Sequence, residues 1–273
     1  MTNRTGTAAL CFVAALATLA GCSDSKDPAT PTSTATASAG SAQAAPAAGG
    51  NTFGCLTGEQ AGKGSVTVQD AEHSDAAYFQ DADAGRAEVA VVLLHQAGGS
   101  LCDWVPALGS FTKAGYAVLA VNRSGDVLDD LGAVDQFLES RKVAQVVLVG
   151  AADSATALLD KSASPVSSKI PVKAVVALSA LQKSGVWNAA GNAEFNRMPT
   201  FFAAGRDDRT AAADAQALYD KSVHAAPGKR LRFYPGTGHG ADLLRDVALP
   251  DVLTFLAERV PATSTPTPTA GAA

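Results

Sequence analysis

Val147-Leu148-Val149-Gly150-Ala151-Ala152-Asp153-Ser154 is the stretch on which the fold turns. An apolar β-branched run over 145–149 stops at a glycine, and the pattern becomes helical over 154–159. A strand apolar at consecutive positions is expected to be buried on both faces. The same alternation continues upstream and downstream. Residues 89–94 form a second such run, and a helix with Val105, Leu108 and Phe111 on one face follows, closed by Gly115. A strand over 116–121 leads into helical spacing over 128–138. Beyond the quoted stretch, 172–178 and 200–203 read as strands, 211–221 as a helix, 231–234 as the last strand and 243–259 as the closing helix. Two shorter strands, 65–68 and 76–79, come first, the second ending in the turn-like 81–85. Strands alternating with helices of this length predict an α/β fold: a mostly parallel central sheet of about eight strands, with helices on both faces. Sites in such sheets lie at the carboxyl ends of the strands.

The chain has 273 residues, and its ends read differently from its middle. Arg4 precedes a short apolar run over 8–20, the pattern of a secretory signal over 1–21. It ends Leu19-Ala20-Gly21-Cys22, which resembles the bacterial lipobox. That resemblance implies cleavage before Cys22, a lipid on its thiol and anchorage to the outer face of a bacterial membrane. Residues 22–50 are rich in Ala, Ser, Thr, Pro and Gly, and 261–273 read the same way. Segments with so little apolar surface do not offset the entropy of ordering, so a flexible tether and a disordered tail are expected. One domain, 51–260, remains.

The net charge of −5 is mild and unclustered, which argues against nucleic-acid binding. No later apolar run is long enough for a membrane helix. Of the four cysteines, Cys11 leaves with the signal and Cys22 is the anchor. Cys55 and Cys102 remain, either as a disulfide, as an oxidising compartment favours, or as two free thiols. Nothing in the sequence asks for a metal, a cofactor or an oligomer, and a monomer is expected.

Four motifs stand in order at predicted strand ends: His95-Gln96-Ala97-Gly98-Gly99, the Gly150–Ser154 turn, Ala203-Ala204-Gly205-Arg206-Asp207-Asp208, and Gly236-Thr237-Gly238-His239-Gly240. Together they resemble the α/β-hydrolase family, in particular its dienelactone-hydrolase-like and small serine-esterase members. The resemblance implies an oxyanion loop at His95, Gln96, Gly98 and Gly99, with backbone N–H groups of Gln96 and Asp153 as donors. It implies Asp208, or less directly Asp207, as the acid and His239 as the base. His73 and His224 lack such context and are read as exposed side chains. It further implies a small cap over 181–198, containing Trp187 and Phe195. Asn122-Arg123-Ser124-Gly125 resembles the family's Asp-x-Arg-Gly turn.

In that family the elbow reads Gly-x-Ser-x-Gly. Aligned by strand and helix, Gly150 is the first glycine, Ala152 takes the serine position and Ser154 the second glycine. Asp153 and Ser154 are suited to N-capping the following helix. Ser154 as a substitute nucleophile, and Asp153 as a catalytic aspartate, remain as alternatives. Three readings therefore stay open: a pseudo-hydrolase with a small-molecule pocket, an esterase using Ser154 or a water activated by His239, and a structural envelope lipoprotein.

Overall fold

The computed structural model describes residues 50–125, 127–162, 169–225 and 227–266. The signal, Cys22 and the tether before Gly50 lie outside them, as does the tail from Thr267. The strands are β1 (Ser65–Gln69), β2 (Ser74–Gln80), β3 (Gly85–Ala87), β4 (Val89–Leu94), β5 (Ala117–Asn122), β6 (Gln145–Ala151), β7 (Val172–Leu178), β8 (Thr200–Gly205), β9 (Arg230–Tyr234) and β10 (Ser264–Pro266). The helices are α1 (Gly58–Gly64), α2 (Val105–Lys113), α3 (Val127–Ser140), α4 (Asp153–Lys161), α5 (Ala189–Asn192), α6 (Arg209–Lys221), α7 (Ala241–Leu243) and α8 (Leu249–Arg259).

Eight strands make one sheet in the order β1-β2-β5-β4-β6-β7-β8-β9. β2 runs antiparallel to both β1 and β5, and every pairing from β5 to β9 is parallel. The period-two alternation of a strand divides the core into two layers. Val89, Val91 and Leu93 of β4 face Trp104, Leu108, Phe111, Phe255 and Leu256. Ala90, Val92 and Leu94 face Val134, Leu138, Leu158 and Leu218. Both layers being apolar is why β4 reads as an unbroken hydrophobic run. Among the described residues no helix is long and apolar enough to cross a membrane.

Three stretches differ from their sequence expectations. The closing helix over 243–259 is interrupted: α7 gives way to a π-helical turn at Leu244–Ala248 before α8. Pro250 has no N–H, and its ring crowds the carbonyl four residues earlier, so the ladder widens there and restarts. The tail, expected to be disordered from Pro261, forms β10, with Ser264 opposite Ala87 and Pro266 opposite Gly85 on β3. Glu88 N–H donates to the Thr263 carbonyl at 2.9 Å. A proline is tolerated on an edge strand of this kind. The segment over 181–198, expected as a cap, is bound along the flank of α4 and α6. Gln182 donates to Asp214 through N and Nε2, and Asn188 N and Asn192 Nδ2 donate to Asp160 near the far end of α4. It thus serves as the crossover from β7 to β8. Trp187 is half-buried in it, with Lys161 Nζ 5.5 Å from its ring centroid, and Phe195 is exposed.

Tyr116, buried ahead of β5, donates its hydroxyl to the Val260 carbonyl at 3.0 Å, tying the sheet to the end of α8. Burial pushes its pKa up to about 12. The unfolded chain loses this proton near pH 10, while the folded chain keeps it to the higher value. Stability is therefore intact below pH 10 and falls as pH rises through that window, by on the order of 2–3 kcal/mol. Tyr78 and Tyr234 shift the same way, both chiefly by burial. Urea unfolding across this range is expected to show the loss, with a shallower slope in Tyr116→Phe; an equal slope in that variant refutes the assignment.

Candidate functional site

The site is built where β6 turns into α4. A Cβ on Gly150 would stand 2.6 Å from the Ala155 nitrogen, so only glycine lets the helix fold back so tightly on its strand. Two residues later Ala152 has φ 46° and ψ −108°. Such a conformation costs a non-glycine residue about 1–3 kcal/mol and persists only where its surroundings impose it. Here Ala152 N–H donates to the Leu178 carbonyl at 2.8 Å. The Ala152 carbonyl accepts from Thr156 N–H and Thr156 Oγ1, both at 3.0 Å. The sharp turn expected from Gly150 is present, and what stands at its tip is a methyl group.

The two neighbours of Ala152 point elsewhere. Ser154 is fully buried, and its Oγ donates to the His95 carbonyl at 2.6 Å. Its single proton is committed beneath the turn, which removes it as a substitute nucleophile. It does not cap α4 either. Asp153 carries its carboxylate across the front of the turn, where Oδ1 accepts from Ala97 N–H at 2.6 Å and Oδ2 from Arg123 Nη2 at 2.5 Å. Neither of its oxygens caps the helix, because both face the neighbouring loops. The N-capping expected for the pair is therefore not how either side chain is used.

Arg123 is the residue that the sequence underrated. Its Nε donates to the His95 carbonyl at 3.0 Å and its Nη1 to the Gly125 carbonyl at 2.9 Å. The turn that carries it is held by buried Asp75, which accepts from Ser124 N–H at 2.9 Å and Ser124 Oγ at 2.7 Å. The Asp-x-Arg-Gly likeness was the available signal, but the partner of the arginine lies 30 residues away.

The His95–Gly99 loop follows β4. His95 is buried; its Nδ1–H donates to the Gln96 carbonyl at 2.8 Å, because a carbonyl can only accept. Burial holds its pKa below the usual histidine value, which keeps the ring neutral. Gly98 has φ +76°, a conformation that favours glycine, and a Cβ on Gly99 would meet Asp103 Oδ2 at 2.5 Å and displace that side chain. Ala97 N–H binds the elbow carboxylate, and the side chain of Gln96 reaches a different loop. Gln96 Oε1 accepts from Ala241 N–H at 3.3 Å, linking this loop to the one bearing His239. Immediately after the loop, Cys102 is joined to Cys55 in a disulfide.

The residues expected as acid and base meet after β8 and β9. A Cβ on Gly205 would lie 2.5 Å from the Gly238 carbonyl oxygen, so glycine is what lets these two loops pass. Asp208 Oδ2 accepts from His239 Nδ1–H at 2.5 Å, and Asp208 Oδ1 accepts from Ala211 N–H at 3.2 Å as the N-cap of α6. Asp208 is thus the partner of His239; Asp207 is exposed. With Nδ1–H engaged, the lone pair of His239 is on Nε2, in a side chain that is 43% exposed. Ser179, buried with φ 54°, accepts from Gly240 N–H at 3.0 Å and steadies this loop. Nothing in the local sequence marks Ser179, which is strained by long-range packing.

The assembled site holds a histidine oriented by a carboxylate, an ion pair across the loop and elbow, and the methyl group of Ala152 at the tip of the turn. Among the described residues no group of three or more His, Cys, Asp or Glu could hold a metal ion. A depression of about 590 Å³ bounded by Lys63, Tyr78, Asp81, Val105, Thr112 and Arg141 lies at the opposite end of the sheet, away from these groups. Its size alone does not make it the site.

No protein-family model matches this chain, and no curated protein sequence is significantly similar to it. Solved structures are. An esterase of Pyrococcus furiosus superposes with a TM-score of 0.59 at 18% identity, covering 71% of this chain and 90% of that one. The esterase domain of a Rhodothermus marinus protein gives 0.57 at 18%, covering 72% and 98%. A dienelactone hydrolase of Anabaena variabilis gives 0.57 at 18%, covering 71% and 94%. At these identities the likeness is one of fold, and the fold of this chain is the α/β-hydrolase fold.

Proposed function

We propose that this chain is an exported, lipid-anchored hydrolase-like protein that binds a small molecule at the elbow without hydrolysing it. One observation carries the reading: the strained tip where acyl-transfer enzymes of this fold hold their nucleophile bears Ala152, while the Asp208–His239 pair beside it is intact. A histidine oriented by a carboxylate activates a hydroxyl or thiol. With a methyl group there, that base has only solvent or ligand to accept from. The signal-like 1–21 and the Ala-Gly-Cys ending at Cys22 support export and a lipid on Cys22 as the link to the membrane. The mild charge supports neither nucleic acid nor an acidic partner, and the protein is taken as a monomer.

The intact dyad favours one competing reading, in which His239 activates a water against short acyl esters or lactones. The fully committed hydroxyl of Ser154 speaks against its serving instead. Purified protein is expected to resist fluorophosphonate labelling and to leave p-nitrophenyl acetate unhydrolysed above background. Turnover that disappears in His239→Ala refutes the binding reading and establishes the hydrolytic one. In a bacterial host, incorporation of a labelled fatty acid is expected and should vanish in Cys22→Ser; incorporation unchanged by that substitution refutes the anchor.

A further inference from the structure

The elbow contains an anion site that the chain fills for itself. We propose that Ala97 N–H and the Arg123 guanidinium form a carboxylate-binding site at the mouth of the oxyanion loop, occupied in cis by Asp153. The guanidinium does not depend on Asp153 for its position: two of its donors are held by the carbonyls of His95 and Gly125, on two different loops. Its side chain is only 9% exposed, so its charge is largely removed from water. A buried cation without a counterion is strongly unfavourable, and a carboxylate satisfies it while also accepting the adjacent amide. Asp153 does both, at 2.5 and 2.6 Å. Because it is tethered to the first position of α4, it competes with any external oxyanion at a high effective concentration.

This explains what Asp153 does in a position where a carboxylate opposes acyl transfer. An oxyanion hole works through donors left free for the charge that develops in the reaction. Here a fixed carboxylate, held by Ala97 N–H and Arg123, is carried by the same residue as one of the expected donors, Asp153 N–H, and opposes that developing charge. The site is therefore closed twice, once by the methyl of Ala152 and once by the carboxylate of Asp153. The catalytic consequence rests on the function proposed above; the anion site itself does not.

Two measurements decide it. In Asp153→Ala, with Ala152 unchanged, titration with sodium acetate should produce a saturable shift of the Ala97 amide resonance, absent in the parent protein. Asp153→Asn, which keeps a side-chain oxygen without the charge, should respond weakly and serves if the alanine variant does not fold. An Ala97 amide that acetate leaves unmoved in both variants, or moves equally in the parent, overturns the site. In the second measurement, Ala152→Ser alone should remain close to background on short esters. Adding Asp153→Ala removes the opposing charge and should raise turnover about a hundredfold, an effect of the size of one oxyanion donor. Equal activity in the single and double variants, or none in either, overturns the blocking role. Hydrolysis by the parent would instead refute the proposed function and leave the acetate titration as the test of the site.

Discussion

Replacing Arg123 by methionine is expected to destabilise the fold by about 3 kcal/mol, read as a lower urea midpoint with an unchanged slope. Three hydrogen bonds, one of them the ion pair to Asp153, converge on this side chain, and they join the loop after β4, the turn after β5 and the first residue of α4. Methionine fills a similar volume, so little of the loss comes from a cavity. Most of it comes from leaving the Asp153 carboxylate, 25% exposed, without its cation; the His95 carbonyl still accepts from Ser154 Oγ. A double-mutant cycle separates the terms. Arg123→Met combined with Asp153→Ala should lose clearly less than the two single changes added together, because the second change removes the stranded charge. Strict additivity refutes the ion pair as the coupling element.

Removing the disulfide should cost about 4 kcal/mol in the chain-entropy account, for a sequence separation of 47 residues between Cys55 and Cys102. The bridge holds the segment ahead of α1 against the 3₁₀ turn at Leu101–Trp104, directly after the loop that carries Ala97. Cys55→Ala/Cys102→Ala compared with the oxidised parent by urea unfolding measures the effect. A loss below about 1 kcal/mol would show that the loop is held by the buried Leu101 and Trp104 instead of by the bridge. Trp104 contributes packing from the α2 side, and the capping box of Ser100 and Asp103 orders the turn locally.

Elements that announce themselves by spacing were readable from the chain. The unbroken apolar runs of β4, β5 and β6 are buried on two faces, and each became a central strand. Gly150 was placed correctly because a tight strand-to-helix turn leaves no room for a Cβ. Short or context-made elements were not readable. β3 spans three residues and exists because β10 pairs with it, which no local pattern records. The π-helical turn arises from one proline acting on a carbonyl a turn earlier. The stretch read as a cap has the aromatic content of one. Its asparagine and glutamine side chains nevertheless find Asp160 and Asp214, and those bonds draw it down the flank.

The sequence by itself determined the order of elements, the turn at Gly150, the methyl at Ala152 and the placing of the Asp208 and His239 motifs at strand ends. All of these follow from residue type and local spacing. The tertiary structure alone decided that Asp208 and not Asp207 meets His239, that Ser154 is spent on the His95 carbonyl, and that Asp153 lies between Ala97 and Arg123. These contacts join residues 30 to 59 positions apart. Whether a side chain completes such a contact depends on the direction it leaves the backbone, and that direction is set by the packing of loops that no single segment encodes.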